Sequence, residues 1–320
     1  MKLSSPIYLL FLGMLLACPG IFLSCNAFNE ELPECRLFVR FKYDYNVKSV
    51  CAFHEEVDIV ELYVFDKEGK FLFKQAEEGE KLSTGQYLME VEVPFGEYRF
   101  MAWAGARDSY EICGFTPGVT TLREMELKLK RAASCVVDHS LEPLWYGEII
   151  DVTFTGKTNQ VETINLIKDT NQVTFIFQST SQWGWGIDLD EYDYEIIDAN
   201  GYLAYDNSLN EDEPISYQPY EGEQLSPEAI RVELNTMRIM DERDLRFVVT
   251  DKQSGKKVLN INLAQYLSQT RTTDQRHWSI QEYFDRRDKW HIVFYLADSW
   301  TSIQLHINDW TWYIQDEEIE

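Results

Sequence analysis

Residues 57–73 read VDIVELYVFDKEGKFLF, and this stretch decides the fold class. Val57, Ile59, Glu61, Tyr63 and Phe65 share one parity, and Val60, Leu62 and Val64 share the other. Side chains alternate across a strand, so both faces of this one are largely apolar and it belongs inside a sheet. Asp66-Lys67-Glu68-Gly69 supplies a turn, and Phe71 and Phe73 open a second apolar run. Two such runs about a short Asp/Gly turn predict a β-hairpin.

The same texture extends in both directions. Upstream, Leu37, Val39, Phe41 and Tyr43 alternate with polar residues, which gives a strand with one buried face. Downstream, residues 87–93, 98–104 and 122–129 read as further strands, with Pro94-Phe95-Gly96 turning the chain. In the second half, 173–178, 245–250, 258–263, 292–296 and 303–307 are strand-like, and 263–267 reads as a short helical turn. Residues 194–205 (YEIIDANGYLAY) repeat the opening pattern of β-run, Asp-x-x-Gly and β-run. Many short strands with little helix predict an all-β protein, and the repeated hairpin suggests two domains of one architecture. The Gly/Lys/Thr/Asn stretch at 155–160 is the expected boundary, giving domains at 35–157 and 158–320.

Apolar residues make up 45% of the 320-residue chain, enough for two real cores. With 54 acidic against 29 basic side chains the net charge is -25, which disfavours nucleic acid as a partner. The first 24 residues carry Lys2, an apolar run from Ile7 to Leu16 and Ser24 directly before Cys25, the layout of a secretory signal with a lipoprotein cleavage site. Cys25 is the expected acylated residue, with Cys18 as the alternative, and residues 25–34 form a tether to a membrane. Pro19 and Gly20 interrupt the apolar run, so a membrane-spanning helix is the weaker reading. Cys35, Cys51, Cys113 and Cys135 have no zinc-like spacing and can be disulfides or buried thiols.

The sequence offers no catalytic constellation. Its five histidines lie apart and form no His-Glu-x-x-His pair, so no helix-borne metal site is expected. Gly156-Lys157-Thr158 resembles the end of a phosphate loop, but Asp151 stands where the first glycine should be. No Gly-x-Ser-x-Gly elbow occurs. Asp188, Asp190 and Asp193 do not fit a calcium loop, because Tyr192 replaces a ligand and Asp193 replaces the required glycine. The reading is a protein without enzymatic activity, metal or cofactor. Trp183 and Trp185 flank Gly184 in a loop and form a candidate binding site for sugar or protein, with core packing as the competing reading.

Eight ordered runs together resemble one family: RFKYDYN (40–46), AFHEEVDIVELYVFD (52–66), FGEYRFMAWAG (95–105), LWYGE (144–148), KDTNQVTFIF (168–177), IIDANGYLAYDN (196–207), NTMRIM (235–240) and YFDRRDKWHIVFYL (283–296). They look like the FimB/Mfa2 family of fimbrial anchor and minor subunits from Bacteroidales. The resemblance implies two tandem transthyretin-like Greek-key β-sandwiches. It also implies a lipoprotein at the cell surface, held in the outer membrane by its N-terminal lipid. Such a protein anchors a fimbria at its base, limits its length and joins a shaft subunit by β-strand exchange. A fimbrial tip or accessory adhesin, and a glycan-binding surface lipoprotein, are the alternatives. Cleavage after Arg36 or Arg40 would detach an anchor from its lipid. At the C-terminus, Ile303, Leu305 and Ile307 have odd numbers, whereas Trp310, Trp312 and Ile314 have even ones. One strand cannot bury both sets on one face without a bulge. Residues 310–314 are therefore expected as a separable donor strand, with completion of the protein's own sheet as the competing reading.

Overall fold

The computed structural model describes residues 35–315, apart from 113, 242, 298–299, 301 and 308–309. Strands dominate. The first half forms β1 (Leu37–Lys42), β2 (Ile59–Asp66), β3 (Phe71–Glu78), β4 (Met89–Val91), β5 (Gly96–Ala104), β6 (Tyr110–Ile112), β7 (Glu126–Leu129), β8 (Val136–Val137), β9 (Trp145–Phe154) and β10 (Gln160–Lys168). The second half forms β11 (Thr170–Ser179), β12 (Tyr192–Asp198), β13 (Tyr202–Ala204), β14 (Ile215–Tyr217), β15 (Glu221–Ser226), β16 (Ala229–Met237), β17 (Arg246–Asp251), β18 (Lys257–Asn262), β19 (Lys289–Ala297), β20 (Ser302–Ile307) and β21 (Trp310–Gln315). Three short α-helices, α1 (Phe53–Glu56), α2 (Leu263–Ser268) and α3 (Ile280–Arg286), and four 3-10 turns, at Leu82–Thr84, Leu122–Glu124, Leu189–Glu191 and Thr273–Gln275, complete the described part.

The first sandwich is one seven-stranded sheet folded on itself, in the order β3-β2-β5-β9-β10-β1-β4. The fold lies in β10, whose residues 160–165 pair with β1 while 166–168 pair with β9. Val39 and Phe41 of β1 thereby face Val60 and Leu62 of β2 and Phe100 of β5 across one core. The expected hairpin is present: β2 pairs with β3, and Gly69 closes the turn at φ +81°, its N–H donating to the Asp66 carbonyl. Tyr63 and Phe65, on the opposite parity, are also buried, so the strand is covered on both faces as its sequence requires.

The second sandwich packs a six-stranded sheet, β15-β16-β11-β19-β20-β21, on a five-stranded one, β18-β17-β12-β14-β8. Phe175 of β11 stacks on Phe247 of β17 with ring centroids 3.8 Å apart, and Phe177 stacks on Phe294 of β19 at 5.0 Å. The two sandwiches follow one another in tandem, as expected, and are also joined by an excursion of the first half. After β5 the chain leaves the first sandwich, and β8 adds to the sheet of β14. β7 meanwhile pairs with both β6 and β13 in a third, three-stranded sheet. Only then does the chain return as β9 and β10. One core consequently runs from Tyr63 and Trp103, on the outer face of the first sandwich, through Leu127 and Leu203 to Phe175 and Phe294.

Several expectations are corrected here. The stretch 155–159, expected as the domain boundary, is the loop between β9 and β10 of one sheet; the chain quits that sheet only after Lys168. Residues 194–205 do not form a hairpin, because β12 pairs with β14 and β17 while β13 pairs with β7. The reason lies in the turn residues. Asp198 and Asn200 are buried, and Asn200 bonds to Thr236, the Arg238 carbonyl and Tyr217. A Cβ at Gly201 would lie 2.4 Å from Ile215 Cδ1, so this Asp-x-x-Gly is a packed crossover instead of an exposed turn. Residues 122–124 form a 3-10 turn closed by a Thr121–Glu124 capping box, which leaves only 126–129 as strand.

Trypsin nicking at Lys157 tests the shared sheet. The fragments are expected to co-elute on native size exclusion and to separate only in denaturant, since β9 and β10 remain paired to neighbours on both sides. Separation in native buffer would contradict this arrangement.

Candidate functional site

Three places carry the candidate residues: the entry of the chain, the far tip of the second sandwich, and the joint between the sandwiches. Cys25, Cys18 and the tether lie outside the described residues. The chain enters at Arg36, whose N–H donates to Asn159 Oδ1 and whose carbonyl accepts from Gln160 N–H. The Arg36 guanidinium pairs with Glu90 at 3.1 Å. Arg40 lies within β1 opposite Thr163, so cleavage there would divide a paired strand. Cleavage after Arg36 would leave β1 in place and remove the tether.

From this end β1 and β10 run side by side in parallel toward the joint, and β11 leads away from it. The loop after β11 caps the far tip, where Thr180 N–H donates to the Leu296 carbonyl at the end of β19. The two tryptophans of that loop part company. Trp183 is 87% exposed, whereas Trp185 packs partly buried against the core. Gly184 between them takes φ +76°, and Ser179 Oγ donates to the Trp185 carbonyl at 2.6 Å. The turn thus drives one ring inward and presents the other. Asp188, considered for calcium, instead accepts from Asp190 N–H as a helix cap. Cys35, Cys51 and Cys135 are free thiols, and Cys113 lies outside the described residues.

The C-terminal strand completes the protein's own sheet, the competing reading of the sequence. β21 pairs with β20 in an antiparallel ladder that sets Trp310, Trp312 and Ile314 opposite Ile307, Leu305 and Ile303. The parity switch between Ile307 and Trp310 thus falls between two antiparallel strands. β21 is the last strand of its sheet, and its outer edge is unpaired among the described residues.

The joint was not legible as a site in the sequence. Lys168, at the end of β10, is buried between Glu56 at 2.9 Å and Asp288 at 2.6 Å, and its ammonium stands 5.0 Å from the Trp145 ring centroid. These residues, with Tyr220, Asn235 and Lys289, line a cleft of about 450 Å³. Asp169 follows, fully buried. Arg238 makes a bidentate pair with Asp285 of α3 at 2.8 and 2.7 Å, and lies 3.9 Å from Asp169. Burial pushes the Asp169 carboxyl up to about 7, opposed by the nearby Arg238 charge and the Asn207 hydrogen bond. The arrangement is an electrostatic clamp with no nucleophile–base pair, and no group of metal-ligating side chains occurs among the described residues.

Residues 32–316 match the family described as fimbrillin-A associated anchor proteins Mfa1 and Mfa2, and the chain belongs to that family. This is a family of fimbrial structural proteins, not of enzymes. The minor fimbrium anchoring subunit Mfa2 of Porphyromonas gingivalis is 23% identical over 275 residues, covering 84% of this chain and 82% of the relative. Its crystal structure superimposes with a TM-score of 0.67 at 20% identity, over 87% of this chain and 98% of that one, which shows a common fold. A crystal structure from Bacteroides thetaiotaomicron, of a candidate polysaccharide-binding protein, is 55% identical with a TM-score of 0.84, over 89% of this chain and 100% of that one. A candidate adhesin from Bacteroides ovatus is 26% identical with a TM-score of 0.81, over 91% and 99% of the two chains.

Substitutions should separate surface from scaffold. Trp183→Ala is expected to leave stability within about 0.5 kcal/mol, because the ring is exposed. Trp185→Ala should cost about 2 kcal/mol of packing. Lys168→Ala should cost about 2–3 kcal/mol, since it strands two carboxylates at the joint. Denaturant titration of the three variants reads these differences; equal losses for Trp183 and Trp185 would refute the division of the loop.

Proposed function

We propose that this chain is an outer-membrane lipoprotein, acylated at Cys25, that holds a fimbria at the cell surface. Family membership supports the fimbrial role. The observation that carries the anchoring reading is the opposition of two ends. The tethered end enters at Arg36 beside the start of β10. The open edge strand β21 belongs to the other sandwich and ends at the tip, with Gln315 opposite Ser302. A lipid at one end leaves the other end clear of the membrane for a shaft subunit. Docking of that subunit's strand on the free edge of β21 uses main-chain hydrogen bonds with alternate side chains as the specificity code. Donation of β21 itself requires its six-residue ladder with β20 to open first. Edge addition therefore needs less rearrangement.

A second reading has one observation in its favour. The Bacteroides thetaiotaomicron relative is described as polysaccharide-binding, and Trp183 offers an exposed aromatic face of the kind that stacks on sugars. In that case Trp183→Ala abolishes glycan retention on an array while leaving fimbriae attached.

The anchoring reading is tested in cells with two variants. Cys25→Ala should move the protein from the membrane fraction to the soluble fraction; if Cys18→Ala does so alone, the acylation site is Cys18. Deletion of residues 310–320 should release fimbriae into the medium while the folded protein stays in the membrane fraction, because the core positions Ile303, Leu305 and Ile307 remain. Fimbriae that stay attached to a folded, truncated protein would place the docking surface elsewhere. A native N-terminus beginning after Arg36 or Arg40, instead of at an acylated cysteine, would favour a tip or accessory subunit.

A further inference from the structure

Asp169 is the single residue between β10 of the first sandwich and β11 of the second. Its main-chain N–H donates to the Leu144 carbonyl, and its side chain meets that of Asn207, itself buried in the loop after β13. Asn207 Nδ2 donates to Asp169 Oδ1 at 2.9 Å. The remaining oxygens of the same two groups, Asp169 Oδ2 and Asn207 Oδ1, are both buried without a hydrogen-bond partner. Two stranded acceptors on facing groups are costly, and each needs a donor that the protein does not supply.

One proton satisfies both. A carboxylate facing an amide makes one hydrogen bond. A carboxylic acid facing an amide makes two in a ring, with N–H donating to one carbonyl and O–H to the other. Charge balance points the same way. Arg238 is one guanidinium beside two buried carboxylates, and its Nε and Nη2 are spent on Asp285 while Nη1 donates to the Asn207 carbonyl. Lys168, adjacent in sequence, is taken by Glu56 and Asp288. Tyr110 of β6 and Tyr146 of β9 also feel the Asp169 charge, and burial holds both phenols protonated. An ionised Asp169 would thus be a second buried anion sharing one guanidinium with Asp285, at the longer distance of 3.9 Å.

We infer that Asp169 is protonated in the folded protein and forms a cyclic acid–amide pair with Asn207, a latch at the joint that loosens as the medium turns alkaline. The proton comes from water and returns to it, and no other bond changes. The linkage follows in sign. Burial holds the native carboxyl up at about 7, whereas an unfolded aspartate releases its proton near 4. Between those values the folded chain binds more protons than the unfolded one, so this group's contribution to stability falls as pH rises.

Infrared spectroscopy of the full folded protein in heavy water tests the inference. At about pH 6 exposed carboxyls are almost all ionised, and their small residual acid signal is common to the unaltered protein and Asp169→Asn, so the acid carbonyl band in the difference between the two reports the buried group. The band should be present in the unaltered protein, vanish as pH is raised through about 8, and be absent from Asp169→Asn. In that variant the amide can donate where Oδ2–H did, so the fold is retained, and proton uptake on folding near pH 6 should fall by about one. An acid band of equal intensity in the unaltered protein and in folded Asp169→Asn at about pH 6 would overturn the inference. So would an Asp169→Asn protein with undiminished proton uptake, which would make Asp169 an ionised partner of Arg238.

Discussion

The outer face of the first sandwich has to be covered, and the rest of the architecture depends on how this is done. Tyr63, Phe65, Met101 and Trp103 are buried on that face, in a core separate from the one inside the sandwich. Leaving four such side chains in water would expose more apolar surface than a soluble domain tolerates. The chain covers them with the excursion between β5 and β9, whose strands pair with β13 and β14 of the second half. The two sandwiches consequently share a hydrophobic core and do not merely touch. The joint at Lys168 and Asp169 can then be a connection of one residue, because packing on both sides, not a linker, sets its direction.

This sharing explains what could be read in the sequence. Local signals were reliable. The alternation from Leu37 to Tyr43, the exposed turn at Asp66–Gly69 and the turn at Asp251–Gly255 each depend on residues within a few positions of one another. The segment 198–201 carries the same Asp-x-x-Gly signature as 66–69 and behaves differently, because burial of Asn200 is imposed by Thr236 and Tyr217, which are distant in sequence. The loop at 155–159 has the composition of a linker, yet sheet membership is a non-local property. The short strands β6 and β8 offered too few residues for periodicity to appear, and of the strand expected at 122–129 only the second half, β7, formed.

The candidate sites divide in the same way. Trp183 and Trp185 looked equivalent as a pair around a glycine, and only the left-handed turn at Gly184 separates exposed from packed. The parity switch between Ile307 and Trp310 marks the division into two strands, and pairing of β21 with β20 accommodates it as simply as a separable strand does. The joint was out of reach, since Lys168 and Asp288 lie 120 residues apart and nothing in either neighbourhood marks a partner.

The register also bears on what an anchor must withstand. In the anchoring reading, tension enters through the tether ahead of β1 and leaves through the second sandwich. β1 is parallel to β10 along six residue pairs, from Leu37–Gln160 to Lys42–Asn165. The pull on β1 acts at its first residue, away from the joint. The resistance reaches β10 at its last residue, through Asp169 and β11. Force thus acts along the strands at opposite ends of a parallel pair, and the ladder bonds between them are loaded together in shear. An antiparallel terminal hairpin pulled from its open end would instead unzip one pair at a time. Leu37, Val39 and Phe41 add buried side chains that must leave the core before β1 can slide. The parallel placement of the first strand therefore suits a chain held by its N-terminus, and the direct main-chain continuation of β10 into the second sandwich is the residue that Asn207 grips.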